Sequence, residues 1–583
     1  MKAQQDNQSI RKDQTDFESV ASTEQLESLS YRKFPKYIKW IYQLDSLGIE
    51  TRGIERVSPE EREEFAKSKS TTIQLLEVIG LWWAACGGLT SMSSFFLPTL
   101  LFSLNLKDSL VCGLISMNIG CLAAAYCSTM GPKSGCRQMV TARFIFGEWG
   151  VIVVAVIAIV GGIGWSVVNC VLGGQMLLAM NHSISLSVGI VVVAIISLVV
   201  AVFGIKFVLR FQTLLSIPIF VSTVFFYVDV CKKIGYVGQA NSMIDDLGID
   251  KLTWQGNWLS FFAIGYSVTA TWGSCASDYY ILFPESTSST RVFFITFLGI
   301  AIPTTLVAIP ATICGTIAYS YGPWLEAYNR NGVGELIFEA FDQSKALTSL
   351  LFLSLITNNI MNTYSVAFEF QLINKFLVFV PRWVWATLVS VIYIVLSLVG
   401  KEHFSTILSN FLPMLGYWIS MYIALLLEEN LFFRSTVTVR KFHKREFEVN
   451  SGSDSEFEVG VDDDFGQNLG QNVGQNVGQS VAKDYGNGYG IDASCDSDRE
   501  LKDLYNWKNW NRPNGRTMGI AACIAFCCGV AGAVVGMNQV YYRGPLAAKI
   551  GEYGGDLGMF LAFGFTGITY PFVRYLELKR FKR

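Results

Sequence analysis

Three asparagines in an apolar run give the first chemical lead. The stretch "NNIMNTYS" (358–365) sets Asn358, Asn359 and Asn362 between "ALTSLLFLS" and "VAFEF". An amide in an apolar solvent is costly unless it finds partners. Spacings of four (Asn358, Asn362) and three (Asn359, Asn362) put each pair on one helix face. Upstream, "GGIGWSVVNCVLGGQ" carries Trp165 and Asn169, again four apart, and "GYSVTATWGSCASDYY" carries Trp272. Two indoles can sandwich a flat ring, and the amides of Asn169 and Asn362 can read its edge with a donor and an acceptor each. That chemistry is recognition of a planar heterocycle with polar edges. Plainer readings compete at each position: tryptophans pack cores or interface belts, and asparagine pairs tie helices together for about 1 kcal/mol.

Carboxylates inside apolar runs are the next candidates. Asp278 lies near the end of one run, and Glu369 follows Asn362 by seven residues, about two turns on the same face. Both are candidates to carry a proton, although Asp278 also reads as a helix-end residue facing water. Glu77 and Glu148 sit near run ends and read as interfacial. His182 and His403 fall at run ends and His443 in a polar segment, so none reads as a central relay. No Walker motif, zinc pattern or nucleophile–base set appears. Neither enzyme activity, a metal nor a cofactor is expected.

These residues need apolar elements to hold them. The 583 residues are 51% hydrophobic and 16% charged, below the roughly 25% charge of average domains, with mean hydropathy +0.37. A net charge of -2 gives no footprint for nucleic acid. Cysteines such as Cys112, Cys121, Cys127, Cys523 and Cys527 lie in apolar runs and read as small buried hydrophobes. The polar start gives no expectation of a cleaved signal. A bilayer crossing takes roughly 20 apolar residues. Twelve runs qualify: 74–102, 109–129, 149–180, 185–204, 211–229, 257–282, 292–320, 346–376, 383–400, 404–427, 517–541 and 555–576.

Five groups of residues follow. They are a cytoplasmic N-terminal segment (1–72), a ten-helix transport core (73–429) and a polar insertion (430–515). A final helix pair (516–576) and a basic tail (577–583) complete the chain. The insertion holds "GQNLGQNVGQNVGQSV", a composition that stays disordered. An even span count puts both termini on one side, and basic residues in the tail and insertion assign that side to the cytoplasm. The short core loops are balanced, with eight basic residues against seven.

Two runs look breakable. "AACGGLTSMSS" holds Gly87 and Gly88 followed by Thr90 and Ser91, and the sixth run holds Gly265 and Gly273. They lie five spans apart. Secondary transporters built from two inverted five-helix repeats open each repeat with a helix that unwinds at the substrate site. Glycine permits the unwinding, and hydroxyls re-satisfy the freed backbone. Close packing of small residues is the alternative.

Four ordered segments carry a resemblance to a known family. "LDSLGIETRGIERVSPEER" (44–62), "MGPKSGCRQMVTARFIFG" (130–147), "NNIMNTYS" (358–365) and "GEYGGDLGMFLAFGFTGITYPFVRYLEL" (551–578) resemble fungal purine–cytosine permeases of the nucleobase–cation symporter-1 family. "TATWGSCASDYYILFPE" (269–285), "GKEHFSTILSNFLPMLGYWISMY" (400–422) and the segment 130–147 resemble most its vitamin B6 (pyridoxine) branch. The resemblance implies an all-α integral membrane protein. Its core would be a five-plus-five inverted repeat of the LeuT-like kind, followed by two C-terminal helices. It also implies proton-coupled uptake of a small aromatic heterocycle across the plasma membrane. The family's ring-flanking tryptophans fall on Trp165 and Trp272, its amides on Asn169 and Asn362, and its first-span contact within Thr90–Ser91. Asn358, Asn359, Gly87, Gly88 and Gly273 are expected to support or gate the site. Met361 stands where the family motif has proline, so nucleobase specificity does not transfer directly. Pyridoxine is the expected substrate, with nucleobases as the alternative and a nutrient-sensing receptor as the rival of another class.

Overall fold

The computed structural model describes residues 53–435, 443 and 504–583. The tetrapeptide array, most of the insertion and the first 52 residues lie outside them. Helix α1 (Pro59–Ser68) is polar and is capped by Ser58, whose hydroxyl accepts from the Glu61 amide. The first expected span is broken. Helix α2 (Thr71–Cys86) ends at Gly87–Gly88, and the chain resumes as α3 (Leu89–Phe95) and α4 (Leu97–Phe102), bent by 44°. There follow α5 (Leu106–Ser128), α6 (Arg143–Met180), α7 (Leu186–Val202) and α8 (Ile205–Cys231). Helix α6 kinks at Gly147, whose φ of 67° suits only glycine, and a Cβ there would meet the Met518 carbonyl at 2.4 Å.

The second half mirrors the first. Its helices are α9 (Lys251–Ala270), α10 (Ser289–Ser320), α11 (Lys345–Ile373), α12 (Arg382–Gly400) and α13 (Phe404–Glu428). Exchanging each helix for its counterpart five positions on maps the packing onto itself. Helix α2 packs on α8 as α9 packs on α13, and α6 on α7 as α11 on α12. Likewise α6 meets α12 as α11 meets α7, and α6 meets α13 as α11 meets α8. The pairs α5–α10 and α6–α11 map onto themselves. Helices α14 (Ile520–Gly536) and α15 (Gly558–Phe581) pack on each other and against α13.

Among the described residues, six helices are long and apolar enough to cross a membrane, and the bent α2–α4 pair makes a seventh. Helices α7 and α14 are apolar but 17 residues long. Helices α9, α11 and α15 are 20, 29 and 24 residues long and richer in hydroxyl, amide or charged side chains.

The break expected in the sixth run is present: its α-helix ends at Ala270 and continues as 3-10 turns at Thr271–Ser274 and Ala276–Tyr279. Two expectations need correcting. The eleventh was read to 541, but α14 stops at Gly536 and a hairpin follows, β1 (Asn538–Gln539) pairing with β2 (Tyr542–Arg543). The described ends of the insertion are ordered rather than structureless. Tyr505 donates to Asn430 Oδ1 at 2.7 Å, the Arg434 guanidinium lies 3.9 Å over the Tyr505 ring, and Trp507 meets Phe144 edge-on at 4.9 Å.

Candidate functional site

The break between α2 and α3 strands backbone groups that helix α11 collects. Ser354 Oγ accepts from the Leu89 amide at 2.9 Å. Thr357 Oγ1 donates to the Ala84 carbonyl at 2.7 Å, and Asn358 Nδ2 to the Ala85 carbonyl at 2.8 Å. Buried backbone groups left unpaired would cost several kcal/mol each in a membrane. Gly88 lets the two segments meet: a Cβ there would lie 2.1 Å from Ser354 Cβ.

Asn358 is also the hub of an amide chain. Its Oδ1 accepts from Asn169 Nδ2 at 2.9 Å and from Asn362 Nδ2 at 3.1 Å. Asn169 Oδ1 in turn accepts from Thr90 Oγ1 at 2.5 Å. This fixes which way each amide faces. Asn362 keeps its oxygen free of these bonds and is partly open, whereas Asn169 is fully buried behind Thr90 and Asn358. Sequence spacing assigned Asn169 a direct contact with the ring; in the structure both ends of its amide are already held. Asn359 turns away, donating to Tyr393 OH at 3.4 Å.

One cavity, with an empty volume of about 610 Å³ including open solvent at its mouth, gathers the rest. Thr90, Ser91, Trp165, Trp272, Asn358, Asn362 and Glu369 all line it. Trp272 lies in the first 3-10 turn after α9, braced by Trp82, whose ring meets it edge-on at 5.5 Å. Trp165 Nε1 is buried without a hydrogen-bond partner. Gly161 and Gly162 leave the space beside Trp165; a Cβ on Gly162 would strike Val366 at 2.2 Å. Sequence reading missed Trp418 of α13, which adds a third indole to the wall. Its signal was the "GYW" of the tenth run, which belongs to no recognised pattern of spacing. Met361, Gly87, Gly88 and Gly273 do not line the cavity. Met361 is fully buried, and a Cβ on Gly273 would meet nothing closer than 3.5 Å.

The two carboxylates have different surroundings. Asp278 Oδ1 accepts from the Gln138 amide at 2.8 Å, with Arg137 close enough to act on its charge. Glu369 lines the cavity, is 5% exposed, and its Oε2 has no partner. A second, smaller cavity shares Ser365 and Glu369 with the first and runs past Asp278 and Arg137 to Ile54. At that end Val57 donates to the Gly135 carbonyl at 2.9 Å, Arg56 to the Ser134 carbonyl at 2.7 Å, and Arg62 pairs with Glu285 at 3.1 Å. Burial holds the Arg62 guanidinium below its ordinary proton affinity, opposed by Glu285. The polar segment before α2, through Ile54, therefore closes one end of the second cavity.

Two halves with the same packing pattern, each opening with a broken helix at a shared cavity, have the form of a secondary membrane transporter. Residues 67–438 match the profile of permeases for cytosine/purines, uracil, thiamine and allantoin, and the chain belongs to that family. It is 45% identical to the vitamin B6 transporter TPN1 of Saccharomyces cerevisiae, over 93% of this chain and 90% of that one. It is 27% identical to the purine-cytosine permease fcyB of Emericella nidulans, over 92% of this chain and 90% of that one. Mhp1, a nucleobase-cation-symport-1 family transporter solved in a closed conformation with bromovinylhydantoin bound, shares the fold. Its TM-score is 0.55 at 11% identity, covering 92% of this chain and 98% of that one. These relatives are transporters, not enzymes, and the chain is a multi-pass membrane protein.

Proposed function

We propose that the protein imports vitamin B6, as pyridoxine and related vitamers, across the plasma membrane in symport with protons. Twelve crossings with both termini in the cytoplasm complete the reading. The observation that carries it is 45% identity to a vitamin B6 transporter along 93% of the chain, against 27% to a purine–cytosine permease over a similar span. The site supports it: Trp165 and Trp272 line one cavity, with amides and hydroxyls along one wall. The substrate ring lies between the indoles, and Asn362 and Ser91 meet its edge. Glu369 is the better proton carrier of the two carboxylates, because Asp278 is already held by the Gln138 amide. Alternating access rocks one bundle against the other around this point, and the path past Asp278 leads to the cytoplasm.

The test is uptake of labelled pyridoxine in cells lacking their own carriers. Saturable uptake that collapses with a protonophore supports the reading. Uptake that survives collapse of the proton gradient excludes proton symport.

A further inference from the structure

Two polar atoms of opposite kind stand unpartnered on the central cavity. The Trp165 Nε1 hydrogen has no acceptor, and Glu369 Oε2 has no donor. Both side chains are more than nine-tenths buried. A buried carboxylate is expensive unless it meets a cation or takes a proton. The charged and titratable groups around Glu369 do not serve it. Asp278 shares its cavity but carries the same sign. Arg137 lies 3.2 Å over the Phe368 ring and donates to Tyr364 OH at 3.0 Å. Arg382 donates to the Ala201 and Val202 carbonyls at 3.0 and 2.7 Å. Cys275 lines the same wall as a buried thiol, and Tyr279 is engaged with Ser365 at 3.2 Å. No ion pair reaches Glu369 among the described residues.

We infer that Glu369 is the specificity-determining carboxyl of the site and selects ligands with a basic, pyridine-type ring nitrogen. This rests on the proposed function, since it concerns the same ring in the same cavity. Asn362 and Glu369 face one way on α11, with about 10 Å of helix rise between them. A single substituted ring fits between the two side chains. When a neutral ring enters, the proton on the Glu369 carboxyl passes to the nitrogen lone pair. The O–H bond breaks as the N–H bond forms, leaving a carboxylate beside a ring cation with no net charge created. When the ring arrives already protonated, the proton is lost from Glu369 to solvent and the same pair results. Trp165 Nε1 donates to an oxygen substituent on the ring. A ring with no basic nitrogen leaves Glu369 without its partner.

The test is competition binding to the purified full-length protein, with labelled pyridoxine displaced by unlabelled pyridoxine or by its carbocyclic analogue, in which C–H replaces the ring nitrogen. A charge-assisted contact at this site predicts that the wild type prefers the pyridine by about tenfold or more. In Glu369→Gln the preference falls to near unity, while Glu369→Asp keeps a reduced preference. Absence of a preference in the wild type overturns the inference whatever the variants do. So does a preference that Glu369→Gln retains. Failure of the wild type to bind pyridoxine at all is a different result, which removes the vitamin B6 reading itself.

Discussion

At the scale of single residues, the amide chain separates holding from recognising. Asn358 joins Ala85, Asn169 and Asn362, so removing its side chain strands several buried groups at once. Each unpaired group costs about 1–3 kcal/mol. Asn358→Ala is therefore expected to lower the melting temperature of the purified protein and its amount at the cell surface. Asn362 makes one of these bonds and is partly open. Asn362→Ala is expected to leave the melting temperature in place and raise the KM for uptake by about tenfold, the worth of one good polar contact. Equal destabilisation by both substitutions would contradict this division. Trp165→Ala removes a stacking face and is expected to abolish saturable uptake with surface expression intact; normal kinetics in that variant would remove Trp165 from the site. The sequence shows the amides as a group, because their cost in an apolar run is visible without coordinates. It does not show which amide is the hub, because that depends on where the α2 carbonyls fall.

At the scale of elements, the breaks in the two halves are made differently. In the first, Gly88 brings the chain against Ser354, and an added methyl would lie 2.1 Å from its Cβ. Gly88→Ala is expected to cost the bond between the Leu89 amide and Ser354 and to abolish uptake. In the second, the helix tightens into 3-10 turns after Ala270, which needs no glycine. Gly273→Ala, with 3.5 Å to its nearest neighbour, is expected to keep uptake near the wild-type rate. Uptake assays on the two alanine variants decide this, and equal loss in both would contradict it. The contrast explains what the sequence made legible. Adjacent glycines mark the first break directly. In the sixth run glycine misleads, because Gly265 sits within α9 as a packing residue, where a Cβ would lie 2.2 Å from Ser116 Oγ. The overrun of the eleventh run to 541 has a similar cause: "MNQVYY" reads as apolar, but its backbone turns into a hairpin.

At the scale of the whole molecule, the described ends of the polar insertion are anchored to the helices beside them. Arg434 pairs with Glu429 at 2.8 Å, Glu429 pairs with Arg574 at 2.9 Å, and Tyr505 closes over Arg434. This binds α13, α15 and both ends of the insertion into one cluster. Deleting 450–500 leaves the cluster intact and is expected to preserve uptake, whereas a sensor signalling through that segment would lose its output. In the pseudo-symmetric core, every packing pair that maps between the halves lies within residues 71–428. What that core carries is the central claim, and competition for uptake tests it most directly. Labelled pyridoxine is supplied to carrier-deficient cells expressing the protein, with unlabelled pyridoxine or cytosine in excess. The account predicts saturable pyridoxine uptake that unlabelled pyridoxine abolishes and cytosine leaves largely untouched. Uptake of labelled cytosine with no uptake of pyridoxine would contradict it.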